Sequence, residues 1–159
     1  MEEPFDKLAG VLSTTTGYAG GNEPNPTYEQ VASGRTGHAE VVQVVFDPSK
    51  VSYEKLLGVF WTNIDPFDPG GQFCDRGRHY RTAIFYEGEE QKEAALSSKE
   101  SLERQGRLPA PIATEILPLR AFYPAEAEHQ DFYLRNVRRY WSYRSGCGRD
   151  QRLRQLWGR

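Results

Sequence analysis

Apolar positions in this chain fall into short runs whose period switches between that of a strand and that of a helix. Met1 to Leu8 reads as a helix. Glu2 and Glu3 suit a positive helix N-terminus. Pro4 is tolerated only in a first turn, where its missing N–H has no partner to lose, so the helix should begin at Met1 or barely before it. Val11 to Thr16 predicts a strand, ended by Gly17 and the Gly20-Gly21 pair, and Asn22 to Pro26 a loop. Thr27 can cap a short helix over Tyr28 to Ala32, with Gln30 in capping-box position. Glu40 to Phe46 is a valine-rich strand closed by Asp47-Pro48. Ser52 caps the next helix, whose stripe is Leu56, Leu57, Val59, Phe60 and Ile64.

Phe67 to Arg78 has no apolar period and predicts a glycine-rich, charged loop. A strand over Tyr80 to Tyr86 follows, then a long polar helix over Glu89 to Gln105. In that helix Glu89 and Glu93 repel, while Glu100 and Arg104 attract. Ile112 to Leu117 reads as a strand with prolines on both sides. Glu126 to Asn136 and Gly148 to Trp157 read as helices, the second with Leu153, Leu156 and Trp157 as its apolar face. Strands and helices mix without a regular βαβ alternation, so the expected class is α+β. No internal repeat or linker divides residues 1–159, which should form a single domain with a real core.

Composition removes several alternatives. The formal charge is −2, which argues against a general nucleic-acid or membrane-surface binder. No apolar run approaches the ~20 residues that span a bilayer, and no basic-then-apolar leader opens the sequence. Two cysteines, 73 positions apart, are too few for a secreted disulfide scaffold and lack zinc spacing. The expectation is a cytoplasmic protein. Eight arginines among the last 25 residues, with Tyr140, Trp141 and Tyr143 between them, predict a solvated face that pairs with this chain's carboxylates.

Some residues are candidates for chemistry. Glu40 opens an apolar strand, where desolvation would favour a neutral carboxyl. Spacing alone favours a solvated carboxylate at a strand end. Tyr28 and Tyr80 could each donate one hydrogen bond and still offer an apolar ring, but nothing local selects them among nine tyrosines. Asp75 fits an Asx-type turn that orders its loop. Cys147 lies between glycines just ahead of a helix, a setting that frees the backbone and lowers a thiol's pKa. Cys74 is expected to pack as a small buried hydrophobe. His79 is expected to be a solvated loop residue. His38 and His129 lie too far apart for a metal pair, and His129, Gln130 and Asp131 are read as scaffold.

Several longer motifs occur together. They are Gly17-Tyr18-Ala19-Gly20-Gly21, Asn25-Pro26-Thr27-Tyr28, Gly37-His38-Ala39-Glu40, Phe73-Cys74-Asp75-Arg76-Gly77, Phe122-Tyr123-Pro124-Ala125-Glu126 and Cys147-Gly148-Arg149-Asp150. Through them the chain, from Gly17 to Trp157, resembles the methionine sulfoxide reductases of the A type. The resemblance implies a two-layer ferredoxin-like core with a mixed sheet, including one more strand upstream of this sequence. It implies thiol-dependent reduction of methionine S-sulfoxide, free or in proteins, as repair of oxidative damage. Glu40 would be the proton donor, Tyr28 and Tyr80 the oxygen binders, Asp75 their support and Cys147 the resolving thiol. His79 departs from the pattern, which usually has glutamine there. A thioredoxin-like protein or a small dithiol would be the reductant, with no metal or organic cofactor. In the family the nucleophile lies in a Gly-Cys-Phe-Trp motif, and the register of the match places that motif immediately upstream of Met1. The 159 residues are therefore expected to hold the pocket without the attacking sulfur and to be inactive alone. A mispredicted or truncated start and a non-catalytic binder of oxidised methionine are the two readings of that expectation.

Overall fold

A strand can cross a glycine when its neighbours require the missing side chain, and β1 does so. The computed structural model describes residues 1–106 and 111–158; Pro109, one of the prolines expected around the strand near Ile112, and Arg159 lie outside the described residues. β1 runs over Val11–Ala19 instead of stopping at Thr16. A Cβ on Gly17 would come within 2.5 Å of the Phe122 ring and of the Tyr123 carbonyl oxygen, so only glycine lets the strands approach there.

β1 pairs antiparallel with β2 (Ala39–Phe46) on one side and with β7 (Phe122–Pro124) on the other. β5 (Ala83–Tyr86) pairs in parallel with β6 (Glu115–Pro118). A third, two-residue ladder joins β3 (Gly71–Gln72) to β4 (Asp75–Arg76). Helices α1 (Glu2–Asp6), α2 (Tyr28–Ala32), α3 (Tyr53–Trp61) and α4 (Gly88–Arg104) intervene, and α5 (Phe132–Arg135), α6 (Val137–Gly146) and α7 (Arg149–Trp157) close the chain. The class is α+β with strands in both directions. No helix among the described residues is long and apolar enough to cross a membrane.

Local signals act where they were expected. Thr27 accepts from the Gln30 N–H and Gln30 returns the bond to the Thr27 N–H, a complete capping box. Ser52 caps α3 by accepting from Lys55 N–H. The apolar stripe of α3 divides between two cores. Leu57, Trp61 and Ile64 pack with Ile84, Ala95 and Ile112, while Leu56 packs with Phe5 and Val51.

Elsewhere the elements differ from the sequence pattern. β5 starts at Ala83 because Arg78–Tyr80 forms a 3₁₀ turn first. The helix expected over Glu126–Asn136 breaks into a 3₁₀ turn (Ala127–His129) and α5. Asp131 stands between them at φ +51°, its N–H donated at 3.0 Å to the Glu2 carboxylate. β7 and α6 were not foreseen. α6 has no apolar stripe and is held by polar contacts: Tyr140 Oη donates to Glu3 at 2.8 Å, and Arg144 Nε to Asp150 at 2.8 Å.

Candidate active site

A cavity of about 580 Å³ opens between the two main groups of strands. β2 and β5 both line it, and among the described residues each is an edge strand of its sheet. Glu40, Asp75, Tyr80 and, from one helix and its C-cap, Tyr143 and Cys147 reach it from four different segments.

Glu40 is the second residue of β2 and stands opposite Tyr18 of β1. Its carboxyl is pushed up from 4.5 to about 7, first by burial and then by the negative charge of Asp75. A substantial fraction of it is therefore protonated near neutral pH and able to donate. Tyr80 ends the 3₁₀ turn, and its hydroxyl faces that of Tyr28, the first residue of α2. Burial, and then the charge of Glu40, hold the Tyr80 phenol far above its ordinary value, so it keeps its proton. The structure thus brings Glu40, Tyr28 and Tyr80 together from β2, α2 and the segment before β5. His129 stacks on Tyr28 with ring centroids 4.7 Å apart, and Tyr28 N–H donates to Glu126 at 3.2 Å.

Asp75 lies at the start of β4 and lines the same cavity. The loop is ordered by Asp68, which accepts from Gly70 N–H at 2.9 Å and pairs with Arg76, and by Gln72, which bridges the Asp65 backbone at 2.9 and 2.7 Å. The Asp75 carboxylate faces Tyr143 and acts on Glu40 through its charge. A Cβ on Gly71, at φ +151°, would meet the Asp75 carbonyl oxygen at 2.1 Å, which fixes glycine in the hairpin that presents Asp75.

Two sequence expectations need correction, those for Cys74 and His79. Cys74 is exposed rather than buried, and it forms a disulfide with Cys147. Among the described residues no cysteine is free, so Cys147 is present here as half of that disulfide. His79 is buried, not solvated. Its ring lies 4.0 Å from that of Tyr80, and burial lowers its pKa below the ordinary histidine value, partly opposed by Asp75. A neutral imidazole packed on Tyr80 takes the place of the expected solvated side chain.

His38 and His129 are each held by their own neighbours. His38 is buried, accepts from Gly21 N–H at Nδ1 (3.0 Å) and donates from Nε2 to the Glu23 carbonyl (2.8 Å), which commits both ring nitrogens to backbone. His129 Nε2 faces Glu126 and Glu128 at 3.5 and 3.6 Å on the rim. Those three offer donor atoms within 4.8 Å of one another, but the stacking on Tyr28 already accounts for the arrangement. Gln130 bonds the Thr16 N–H and carbonyl at 2.8 and 2.7 Å and so ties the segment before α5 to β1.

Sequence reasoning missed Arg81 and Tyr18. Arg81 is buried at the head of β5. Its guanidinium pairs with Glu115 at 2.9 Å and donates to the Gly37 carbonyl at 2.9 Å and the Arg78 carbonyl at 3.0 Å. It thereby joins the turn carrying Tyr80 to the segment leading into β2 and Glu40. A single arginine heading an apolar strand was the available signal. Tyr18 is 1% exposed, with its hydroxyl unpartnered among the described residues; burial, then the charges of Glu126 and Glu40, raise its pKa.

Comparison with known proteins gives the same assignment throughout. Residues 1–159 match the family described as peptide methionine sulfoxide reductase. A peptide methionine sulfoxide reductase MsrA from Halalkalibacterium halodurans is 53% identical over 159 residues, covering 100% of this chain and 90% of that protein. The MsrA of Bacillus licheniformis is 52% identical over 159 residues, covering 100% and 88%. Among solved structures, methionine sulfoxide reductase A of Corynebacterium diphtheriae superposes with a TM-score of 0.75 at 37% identity, over 86% of this chain and 69% of that one. Mxr1 from Saccharomyces cerevisiae in reduced form superposes with a TM-score of 0.79 at 29% identity, over 86% and 78%. The chain belongs to the peptide methionine sulfoxide reductase family.

Proposed function

We propose that this chain provides the substrate pocket and proton donor for thiol-dependent reduction of methionine S-sulfoxide, free or within proteins. The observation that carries the reading is the Glu40 carboxyl, raised to about 7 in the cavity that also takes Tyr80, whose hydroxyl faces that of Tyr28. A sulfoxide oxygen accepts from the two phenols, which hold it as its charge grows. The substrate methyl group lies against apolar side chains of the same cavity. A thiolate attacks the sulfoxide sulfur, and Glu40 delivers its proton to the oxygen as the S–O bond breaks. The protonated oxygen passes to the cysteine sulfur as the transient bond between the two sulfurs breaks, which leaves methionine and a sulfenic acid on the attacking cysteine. A second thiol condenses with that sulfenic acid to a disulfide and releases water. Cys147 lines the cavity, which supports giving it that second role. A thioredoxin-like protein or a small dithiol returns the disulfide to thiols. No step needs a metal or an organic cofactor.

The 159 residues contain two cysteines, and both are in the Cys74–Cys147 disulfide. We therefore assign the attacking thiolate to a Gly-Cys-Phe-Trp motif placed ahead of Met1, as the family resemblance implies. The 159-residue polypeptide by itself binds oxidised methionine without turnover. The test is dithiothreitol-driven reduction of N-acetyl methionine S-sulfoxide by the polypeptide as it stands, by one extended with that motif, and by the Glu40→Gln form of the extended one. The extended polypeptide should turn over. Glu40→Gln should lower its single-turnover rate by ~10²–10⁴-fold with substrate affinity nearly intact. Equal turnover with and without the motif, or an unchanged rate in Glu40→Gln, would remove the assignment.

A further inference from the structure

His79 and Tyr80 are neighbours in the 3₁₀ turn Arg78–Tyr80, which closes on Gly77. The Tyr80 N–H donates to the Gly77 carbonyl at 3.0 Å, and the Arg81 N–H to the Arg78 carbonyl at 3.2 Å. The imidazole lies over Gly77. That glycine is at φ +134°, and a Cβ on it would meet His79 Cε1 at 2.9 Å and Nδ1 at 3.0 Å, so a side chain at position 77 would take the space of the ring. The imidazole also meets the Tyr80 ring, with centroids 4.0 Å and planes 40° apart. His79 is 7% exposed, whereas Arg78 before it is open to solvent. A turn of three residues fixes its backbone with few bonds. The direction of the Tyr80 phenol, whose hydroxyl faces that of Tyr28, therefore depends on what its ring packs against.

Charge decides how firm that packing is. β2 and β3 pack on the turn. β2 contributes one ionisable side chain, Glu40, and β3 none. Asp75, from β4, is the carboxylate that acts on the imidazole. Arg76 is taken by Asp68, and the Arg81 guanidinium by Glu115 and by the Gly37 and Arg78 carbonyls. Burial outweighs Asp75 and holds the imidazole below the ordinary histidine value, so the ring is neutral where it lies on Tyr80. A neutral imidazole loses little in that seat. An imidazolium there is poorly solvated, and a carboxylate or water serves it better than the face of a phenol.

We propose that His79 is a positioning residue for Tyr80: the neutral imidazole holds the phenol where it meets a sulfoxide oxygen, and protonation of the imidazole releases it, so that the pocket loses affinity in acid. This rests on the reading of Tyr28 and Tyr80 as the oxygen binders. Tyr80 lines the cavity and His79 does not, so His79 acts through its neighbour. Proton and sulfoxide then oppose each other without sharing a site, because each favours the state of the turn that the other disfavours. Glu40 acts in the opposite sense. Its carboxyl gains a proton as pH falls through about 7 and can then donate to the sulfoxide oxygen. Affinity therefore rises as Glu40 is protonated and declines at lower pH as His79 charges.

The test is calorimetric binding of N-acetyl methionine S-sulfoxide to the 159-residue chain across pH, a measurement that involves no attacking thiol. Affinity should fall about tenfold between about pH 6.5 and about pH 5. His79→Gln and His79→Phe, which do not ionise, should abolish that fall. His79→Phe keeps a ring against Tyr80 and should also keep the parent's affinity at about pH 6.5. A fall of the parent's size in both variants would overturn the proposal. Histidine resonances give the reciprocal measurement, the His79 signal being the one absent from His79→Gln. Saturating sulfoxide should lower the His79 titration midpoint, and an unchanged midpoint would also overturn the proposal. If the parent chain binds no sulfoxide at any pH, the functional reading fails, and the Tyr80 ring resonances decide the rest. They should shift with the His79 midpoint in the parent and stay constant in His79→Phe; Tyr80 signals that ignore the His79 titration would show that the imidazole does not position the phenol.

Discussion

Replacing Glu40 with glutamine should stabilise the folded chain at alkaline pH and leave its stability unchanged in acid. Glutamine keeps the shape of the protonated carboxyl and cannot ionise. In the folded state the Glu40 carboxyl is raised from 4.5 to about 7, mainly by burial. Between those two values the folded state binds more protons than the unfolded one, so stability falls as pH rises. The contribution of the neutral carboxyl is fully present below about 4.5. It is lost as pH climbs through about 7 and levels off above that. At ~1.4 kcal/mol for each pKa unit, the ionised carboxylate costs the folded state about 3 kcal/mol at pH 8. For a domain of this size ~1 kcal/mol corresponds to ~2–4 °C. Glu40→Gln should therefore melt roughly 6–12 °C above the parent at pH 8 and level with it near pH 4. Thermal unfolding followed by circular dichroism across that range measures the difference, and groups common to both proteins cancel. A constant gap across pH, or a less stable variant at pH 8, would show that burial of this carboxyl is not what shifts it.

Two further substitutions test the scaffold around Glu40. Tyr80→Phe removes one of the two facing hydroxyls and retains the ring on His79; in the polypeptide extended with Gly-Cys-Phe-Trp it should slow single-turnover sulfoxide reduction by ~10²-fold or more with little change in melting temperature. Equal rates would take Tyr80 out of oxygen binding. Arg81→Ala strands the Glu115 carboxylate and the Gly37 and Arg78 carbonyls and should cost roughly 2–3 kcal/mol in urea unfolding, since Glu115 keeps partial access to water. A loss under about 0.5 kcal/mol would show that the guanidinium is not a structural tie.

How much could be read from sequence follows the distance over which each feature is determined. The caps at Thr27 and Ser52 were legible because donor and acceptor lie three residues apart. The break at Asp131 was not, because its N–H is taken by Glu2, 129 positions away, and α6 was missed for the same kind of reason: Tyr140 and Arg144 fix it through Glu3. Glycine was read as a strand end at Gly17, yet the ring of Phe122 requires it within the strand.

The site divides along the same line. The direction of the Glu40 shift was legible because Glu40 opens an apolar strand, and burial is the larger cause. The second cause, Asp75, arrives from a different hairpin, and no period in the sequence announces it. Nothing local distinguishes Tyr28 or Tyr80 from the other tyrosines; their hydroxyls meet because the start of a capped helix and the end of a 3₁₀ turn come together in the fold. Cys74 shows the limit most sharply. Judged by its neighbours, it is a small apolar residue in a loop, and burial follows. Its actual environment is set by α7, whose Arg149 covers Phe73 and carries Cys147 to the hairpin. The chemistry of a cysteine depends on which sulfur can reach it and which side faces solvent, and both depend on contacts made across the fold.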